Sequence, residues 1–145
     1  MAEDDMPTYR LTTHVNAPPE RVFELWIDLD RAPEWIGGLT KVTDRTGPLD
    51  QKGTRYTSWF GSMKSPTEVL DVERPRFIRT RFGNAVLRGE TEATFEPESG
   101  GTRLVQTFRT QGVIPAIAAW IFSKGSWKGS FKGELEAFRK IAERG

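Results

Sequence analysis

Cysteine is absent from this 145-residue chain, and histidine occurs once, at His14. The chain therefore has no disulfide framework and no thiol nucleophile. A structural zinc site, which draws on Cys and His, is argued against by the same shortage. Neither sign of charge is in excess: 21 Lys and Arg against 20 Asp and Glu leave a formal +1. No bulk field then draws nucleic acid or an anionic membrane. No apolar run approaches the roughly 18 residues that a spanning helix needs. The opening residues, Met1-Ala-Glu-Asp-Asp-Met-Pro, are acidic and polar, the reverse of a secretion signal. Glycine-rich phosphate loops and internal repeats are missing too. The expectation is one cytoplasmic domain, residues 1–145 with a flexible tail over 1–7, as monomer or homodimer. It needs no metal and no cofactor, has no nucleic-acid partner and inserts into no membrane.

What the chain has in quantity is aromatic side chains, with 5 Trp and 9 Phe. Several fall in its last stretch, Pro115 to Gly145. There Ile117, Trp120, Ile121, Trp127, Phe131, Leu135, Phe138 and Ala142 recur at helical spacing. The spacing predicts a long amphipathic helix whose stripe needs a wide apolar surface to lie on. Lys124 falls within that aromatic face, where its stem can snorkel the ammonium to water or point it inward. Gly125, Gly129 and Gly133 form a second stripe, each costing about 1 kcal/mol relative to Ala. They imply close approach of another backbone, room kept for a ligand, or a kink near Ser123–Gly125.

Upstream the period is two. Strands are expected at Tyr9–Asn16, Leu39–Arg45, Gly53–Phe60, Thr67–Glu73, Phe77–Phe82, Leu87–Glu96 and Thr102–Thr110. Short turns between consecutive strands imply antiparallel hairpins. Between the first two strands, Ala17-Pro18-Pro19-Glu20 starts a short helix carrying Val22, Phe23, Trp26 and Ile27. Asp30 can cap a second one through Trp35. Alternation places Tyr56, Ser58, Phe60, Ile78, Thr80, Phe82, Ala93, Phe95, Leu104, Gln106 and Phe108 inward. Trp59 competes with its neighbours for the inward position.

Chemistry-bearing residues are few. His14 lies on a strand without a partner visible in the sequence, so a Ser-His-Asp reading has little to stand on. Glu90 and Glu92 share a face, which a solvated outer surface explains more simply than an acid pair. Arg74, Arg76, Arg79, Arg81 and Arg88 make a basic cluster, but Glu68, Asp71, Glu73, Glu90 and Glu92 should lie on neighbouring strands.

The order strand, two short helices, six strands, long helix resembles the START-related helix-grip superfamily (SRPBCC). Within it the likeness is to the polyketide cyclase/dehydrase and lipid-transport group. The matching residues are Val15-Asn16-Ala17-Pro18-Pro19-Glu20-Arg21-Val22-Phe23, Asp28, Trp35, Gly53, Glu68-Val69, Gly100-Gly101-Thr102 and the terminal helix. They cover nearly the whole chain. The resemblance implies an α+β fold: a curved seven-stranded antiparallel sheet wrapped around the C-terminal helix. It also implies a hydrophobic tunnel between them. It carries over no catalytic residue and no metal motif. Inward polar groups among apolar ones fit a small-ligand pocket better than a dry core. The expected lining is Trp35, Tyr56, Phe60, Thr80, Phe82, Gln106, Phe108, Trp120, Lys124, Trp127 and Phe131. The leading reading is binding or transport of a small hydrophobic or aromatic molecule. A cyclase/dehydratase-like enzyme would instead need a titratable group facing inward. A co-chaperone-like interaction module would need an exposed apolar patch around Trp59 or Phe122.

Overall fold

A computed structural model describes residues 8–83, 88–110 and 126–144, without the side chains of Tyr9, Thr110 and residues 126–132. The elements in chain order are β1 (Thr8–Val15), α1 (Pro19–Trp26), a 3-10 turn (Ala32–Glu34), β2 (Lys41–Thr43), β3 (Arg55–Phe60), β4 (Met63–Glu73), β5 (Phe77–Gly83), β6 (Arg88–Glu98), β7 (Gly101–Thr110) and α2 (Ser126–Arg144). The strands form one curved antiparallel sheet in the order β1-β7-β6-β5-β4-β3-β2. The α+β helix-grip fold expected from the sequence is the one observed. The N-terminal part of the anticipated long helix, from Pro115, lies outside the described residues, as do Trp120, Lys124 and any kink near Gly125.

Local chemistry explains most boundaries. Pro19 takes the first helical position of α1, where its missing N–H costs nothing. Asp30 does not cap the turn that follows; Arg31 stands at that position and no side chain caps it. The carboxylate used is that of Asp28, which accepts from the Asp30 backbone N–H at 3.2 Å. An Asp bonding two residues ahead closes a turn rather than opening a helix. β4 starts at Met63, earlier than the expected Thr67, and so contains Pro66. The β5 ladder along β4 stops at Thr67↔Phe82, while β3 pairs β4 out to Phe60↔Met63. Among the described residues, Pro66 therefore sits where β4 is paired on one side only, the place a sheet tolerates proline.

The register sorts the two faces. Inward rows run Leu11–Gln106–Ala93–Ile78 and Phe108–Thr91–Thr80–Val69, then Gly89–Phe82–Thr67–Tyr56. The outer face carries Arg109–Glu90–Arg81–Glu68–Arg55, in which sign alternates at every strand. Beside it, Arg79 sits between Asp71 and Glu92. Trp59 belongs to this outer face. Its ring lies 4.6 Å from Lys41 Nζ and 5.0 Å from Lys64 Nζ, and its indole N–H donates to Thr43 Oγ1 at 2.8 Å.

The sheet holds α2 through its buried stripe, Leu135, Phe138 and Ala142. Polar bonds fix the helix along its length. Glu134 accepts from Gly37 N, Glu143 accepts from Asn16 N, and Arg21 Nε donates to Ala142 O at 2.8 Å. Gly133 is exposed, and no described atom lies within 4 Å of where its Cβ would be. Among the described residues, then, no backbone approaches it closely.

Candidate ligand-binding face

The concave face divides into a dry end and a half-open end. At the dry end α1 and α2 press aromatic rings against β6 and β7. Phe138 meets Trp26 at 5.1 Å and Trp35 at 5.0 Å; Phe95 meets Phe23 at 5.5 Å and Trp26 at 5.9 Å. Most of these contacts are edge-on, the arrangement the ring quadrupole favours. Phe23, Phe95, Leu104 and Phe138 are almost wholly buried. Trp35 is 7% exposed, and its indole N–H has no hydrogen-bond partner among the described residues. A buried donor left without an acceptor costs about 1–3 kcal/mol.

Away from that cluster the same face carries Tyr56, Phe60, Thr80, Phe82, Thr91 and Gln106, all half-buried, with Phe108 buried among them. Thr80 and Thr91 share a hydrogen bond between hydroxyls at 2.8 Å. Phe82 stacks on Phe108 with centroids 5.1 Å apart and planes 28° apart. Gly89 makes that stack possible. A Cβ there would collide with the Arg109 carbonyl oxygen and stand 3.0 Å from Phe82 Cζ. Opposite, Tyr56 pairs with Thr67 across β3 and β4. Burial pushes the Tyr56 phenol up to about 12, against a smaller lowering by its Thr67 hydrogen bond. Tyr56 is therefore a protonated phenol throughout the physiological range, a donor rather than a base.

The other titratable candidates face away. His14 is on the outer side of β1, opposite Arg103, with Nδ1 2.9 Å from Glu98 Oε1 and Nε2 3.0 Å from Asn16 Oδ1. Its pKa is raised, first by the Glu98 hydrogen bond. That partner is invisible in the sequence because Glu98 is 84 residues away. The basic cluster dissolves into separate pairs. Arg74 binds Glu20, Glu24 and Asp50, Arg76 binds Glu73, and Arg81 binds Glu68. No group of three or more potential metal ligands occurs among the described residues.

Of the expected lining, the structure brings Tyr56, Phe60, Thr80, Phe82, Gln106 and Phe108 to one face and sets Trp35 in the dry cluster beside it. Trp127 and Phe131 lie on α2, with side chains outside the described set, and Trp120 and Lys124 lie outside it altogether. Thr67 and Thr91 were not anticipated. Thr91 sits between Glu90 and Glu92, so strict alternation was the available signal; the role of Thr67 depends on register, which sequence does not show.

The architecture is widely shared. The structure is similar to TTHA0849 from Thermus thermophilus, with TM-score 0.71 and 21% identity over 94% of this chain and 97% of that one. It is similar to MLL2253 from Mesorhizobium loti, with TM-score 0.75 and 20% identity over 95% and 98%. Ara h 8.0201 matches with TM-score 0.71 at 10% identity over 97% and 99%. At such identities the likeness speaks for the fold alone. None of the curated proteins compared matches the sequence. A family model described as polyketide cyclase / dehydrase and lipid transport does match, over residues 6–143. That span is almost the entire chain, and the protein accordingly belongs to this family, the helix-grip group that its sequence resembles.

Proposed function

We propose that the protein binds a small hydrophobic or aromatic molecule in a cavity between the sheet and the C-terminal helix. The observation that carries this reading is the contrast along one concave face. One end is sealed by interlocked rings, while the other keeps aromatic and hydroxyl side chains half accessible. A face built only to close a core would bury Phe60 and Phe82 as it buries Phe95. Apolar walls with a few convergent polar groups are the usual composition of a small-ligand site. Tyr56 and the Thr80–Thr91 pair supply the polar points, and the Trp35 N–H, without a partner among the described residues, is a further donor in the interior.

Binding is favoured over catalysis by where the protons are. A general base works best with a pKa near the operating pH. Tyr56 is pushed far above that range, and His14, Arg79 and Arg81 belong to the outer face. The interaction-module reading asked for an apolar patch around Trp59 or Phe122, and Phe122 lies outside the described residues. The Trp59 ring is instead flanked by two lysines, and Met63 is the exposed large hydrophobic residue among those described.

The test is a thermal-shift titration with naphthol, methyl naphthoate and methyl dodecanoate, together with native mass spectrometry of the purified protein. A probe at about 100 times its Kd stabilises by about 2.7 kcal/mol. For a chain of this size that is a Tm rise of roughly 5–10 °C. No shift with any probe and no co-purified molecule would remove the reading.

A further inference from the structure

One polar side chain from each of five consecutive strands forms an oblique seam on the inner face: Gln106 on β7, Thr91 on β6, Thr80 on β5, Thr67 on β4 and Tyr56 on β3. Thr91 pairs directly with Thr80, and Thr67 with Tyr56. Gln106 and Thr91 are diagonal neighbours, as are Thr80 and Thr67, each two residues from the directly opposed partner. The seam divides the face. On β7, β6 and β5 the residue two positions toward the dry end is apolar and buried: Leu104, Ala93 and Ile78. Two positions the other way stand Phe108, Gly89 and Phe82, the ring stack and the glycine that admits it.

Four of the five members satisfy one another. Thr80 and Thr91 share the 2.8 Å hydroxyl bond, and Tyr56 is hydrogen-bonded to Thr67. Gln106 is the exception. It is half-buried, and its carboxamide has no hydrogen-bond partner among the described residues. Leu11 and Ala93 stand opposite it on the two flanking strands, and neither has a polar side-chain atom to offer. A carboxamide presents an acceptor and two donors in one plane, so Gln106 brings unused donors and an unused acceptor to the proposed ligand wall.

The geometry points to a ligand whose polar end is an uncharged group with a donor and an acceptor side by side, a primary carboxamide or a lactam, paired with the Gln106 carboxamide. Two N–H···O bonds close a planar ring between such groups in either orientation of the Gln106 amide. The Thr80–Thr91 bond uses one of that pair's two hydroxyl hydrogens and leaves the other for the same ligand carbonyl, one diagonal step away at roughly 7–8 Å between strand positions. The ligand's apolar body lies on the aromatic side of the seam, against the Phe82–Phe108 stack that begins two residues along β7. An ester of the same shape only accepts, which leaves the Gln106 oxygen without a donor; a site that hydrogen-bonds its ligand rejects the analogue lacking that group. A carboxylate would meet uncharged partners along the seam. This assignment rests on the binding function proposed above and narrows its ligand class.

The experiment titrates the full chain with naphthamide, methyl naphthoate, naphthoate and methylnaphthalene, by calorimetry or tryptophan fluorescence. Naphthamide is expected to bind about tenfold more tightly than the ester or the carboxylate. Gln106→Leu, which keeps the size of the side chain, should erase that preference and leave methylnaphthalene affinity within about twofold. Gln106→Met is a second apolar replacement in case leucine disturbs the sheet. Thr107→Val, on the outer face of the same strand opposite Arg10 and Glu92, should change none of these. An ester or carboxylate bound as tightly as the amide by the unaltered protein overturns the assignment while the binding function stands. So does a preference for the amide that survives both Gln106 variants, or a fall in Tm in both with the amide-to-ester ratio unchanged, the mark of a carboxamide held by the chain itself. Binding of none of the four probes removes both.

Discussion

Tyr56 is the residue where burial has the clearest chemical consequence. Its phenol titrates ordinarily near 10 and, folded, at about 12, because ionisation would strand a charge away from water. Folding therefore favours the neutral form. The associated stability is present in full below pH 10 and is lost as pH rises from 10 to 12, at most about 2–3 kcal/mol. Alkaline unfolding of the wild type should steepen in that window, and Tyr56→Phe should flatten the slope. With 2 Tyr in the chain, absorbance titration of the phenolates checks it directly: the late-titrating group should vanish in the variant. For His14 the sign of the pKa shift is the same. Its charged form is favoured beside Glu98, so Glu98→Gln should lower its pKa, as followed by NMR. Single side chains were the hardest things to read in advance. Tyr56, Thr80 and Gln106 follow from alternation alone. The ambiguity at Trp59 needed cross-strand neighbours, since only Lys41, Lys64 and Thr43 explain an outward indole.

Among elements, α2 depends on the few buried positions that the helical period already marked. Phe138 is fully buried and touches both Trp26 and Trp35. Phe138→Ala should cost about 3–5 kcal/mol, measured by denaturant unfolding. Leu135→Ala, also buried, removes less area and should cost about 2–5 kcal/mol. The helix was legible because an amphipathic stripe announces itself over many turns. The seven strands were legible because β-branched and aromatic alternation breaks at glycine and proline. The start of β4 was not legible, since Pro66 reads as a boundary until one knows that β5 has already ended there. The cap at Asp30 failed for a similar reason. Asp28 and Asp30 carry the same chemistry, and only backbone conformation selects between them.

At the scale of the whole molecule, the sheet is two surfaces with separate tasks. The outer one is a lattice of alternating charge, worth little per pair but consistent across five strands. Arg79→Glu would align three acids across β4, β5 and β6. It should destabilise by about 1 kcal/mol at low salt, with the loss shrinking as ionic strength rises. Ligand stabilisation, by contrast, should be insensitive to that change. The α+β class and helix-grip wrapping were readable from element order. The division of the inner face was not, because it depends on which rows of side chains the helices cover. The overhanging start of β4 also bears on how molecules meet. From Met63 to Pro66, β4 has no described strand on its β5 side, and bare backbone of that kind is a template on which other chains zip. Lys64 and the missing amide of Pro66 spoil the template, so this corner can project without seeding fibrils.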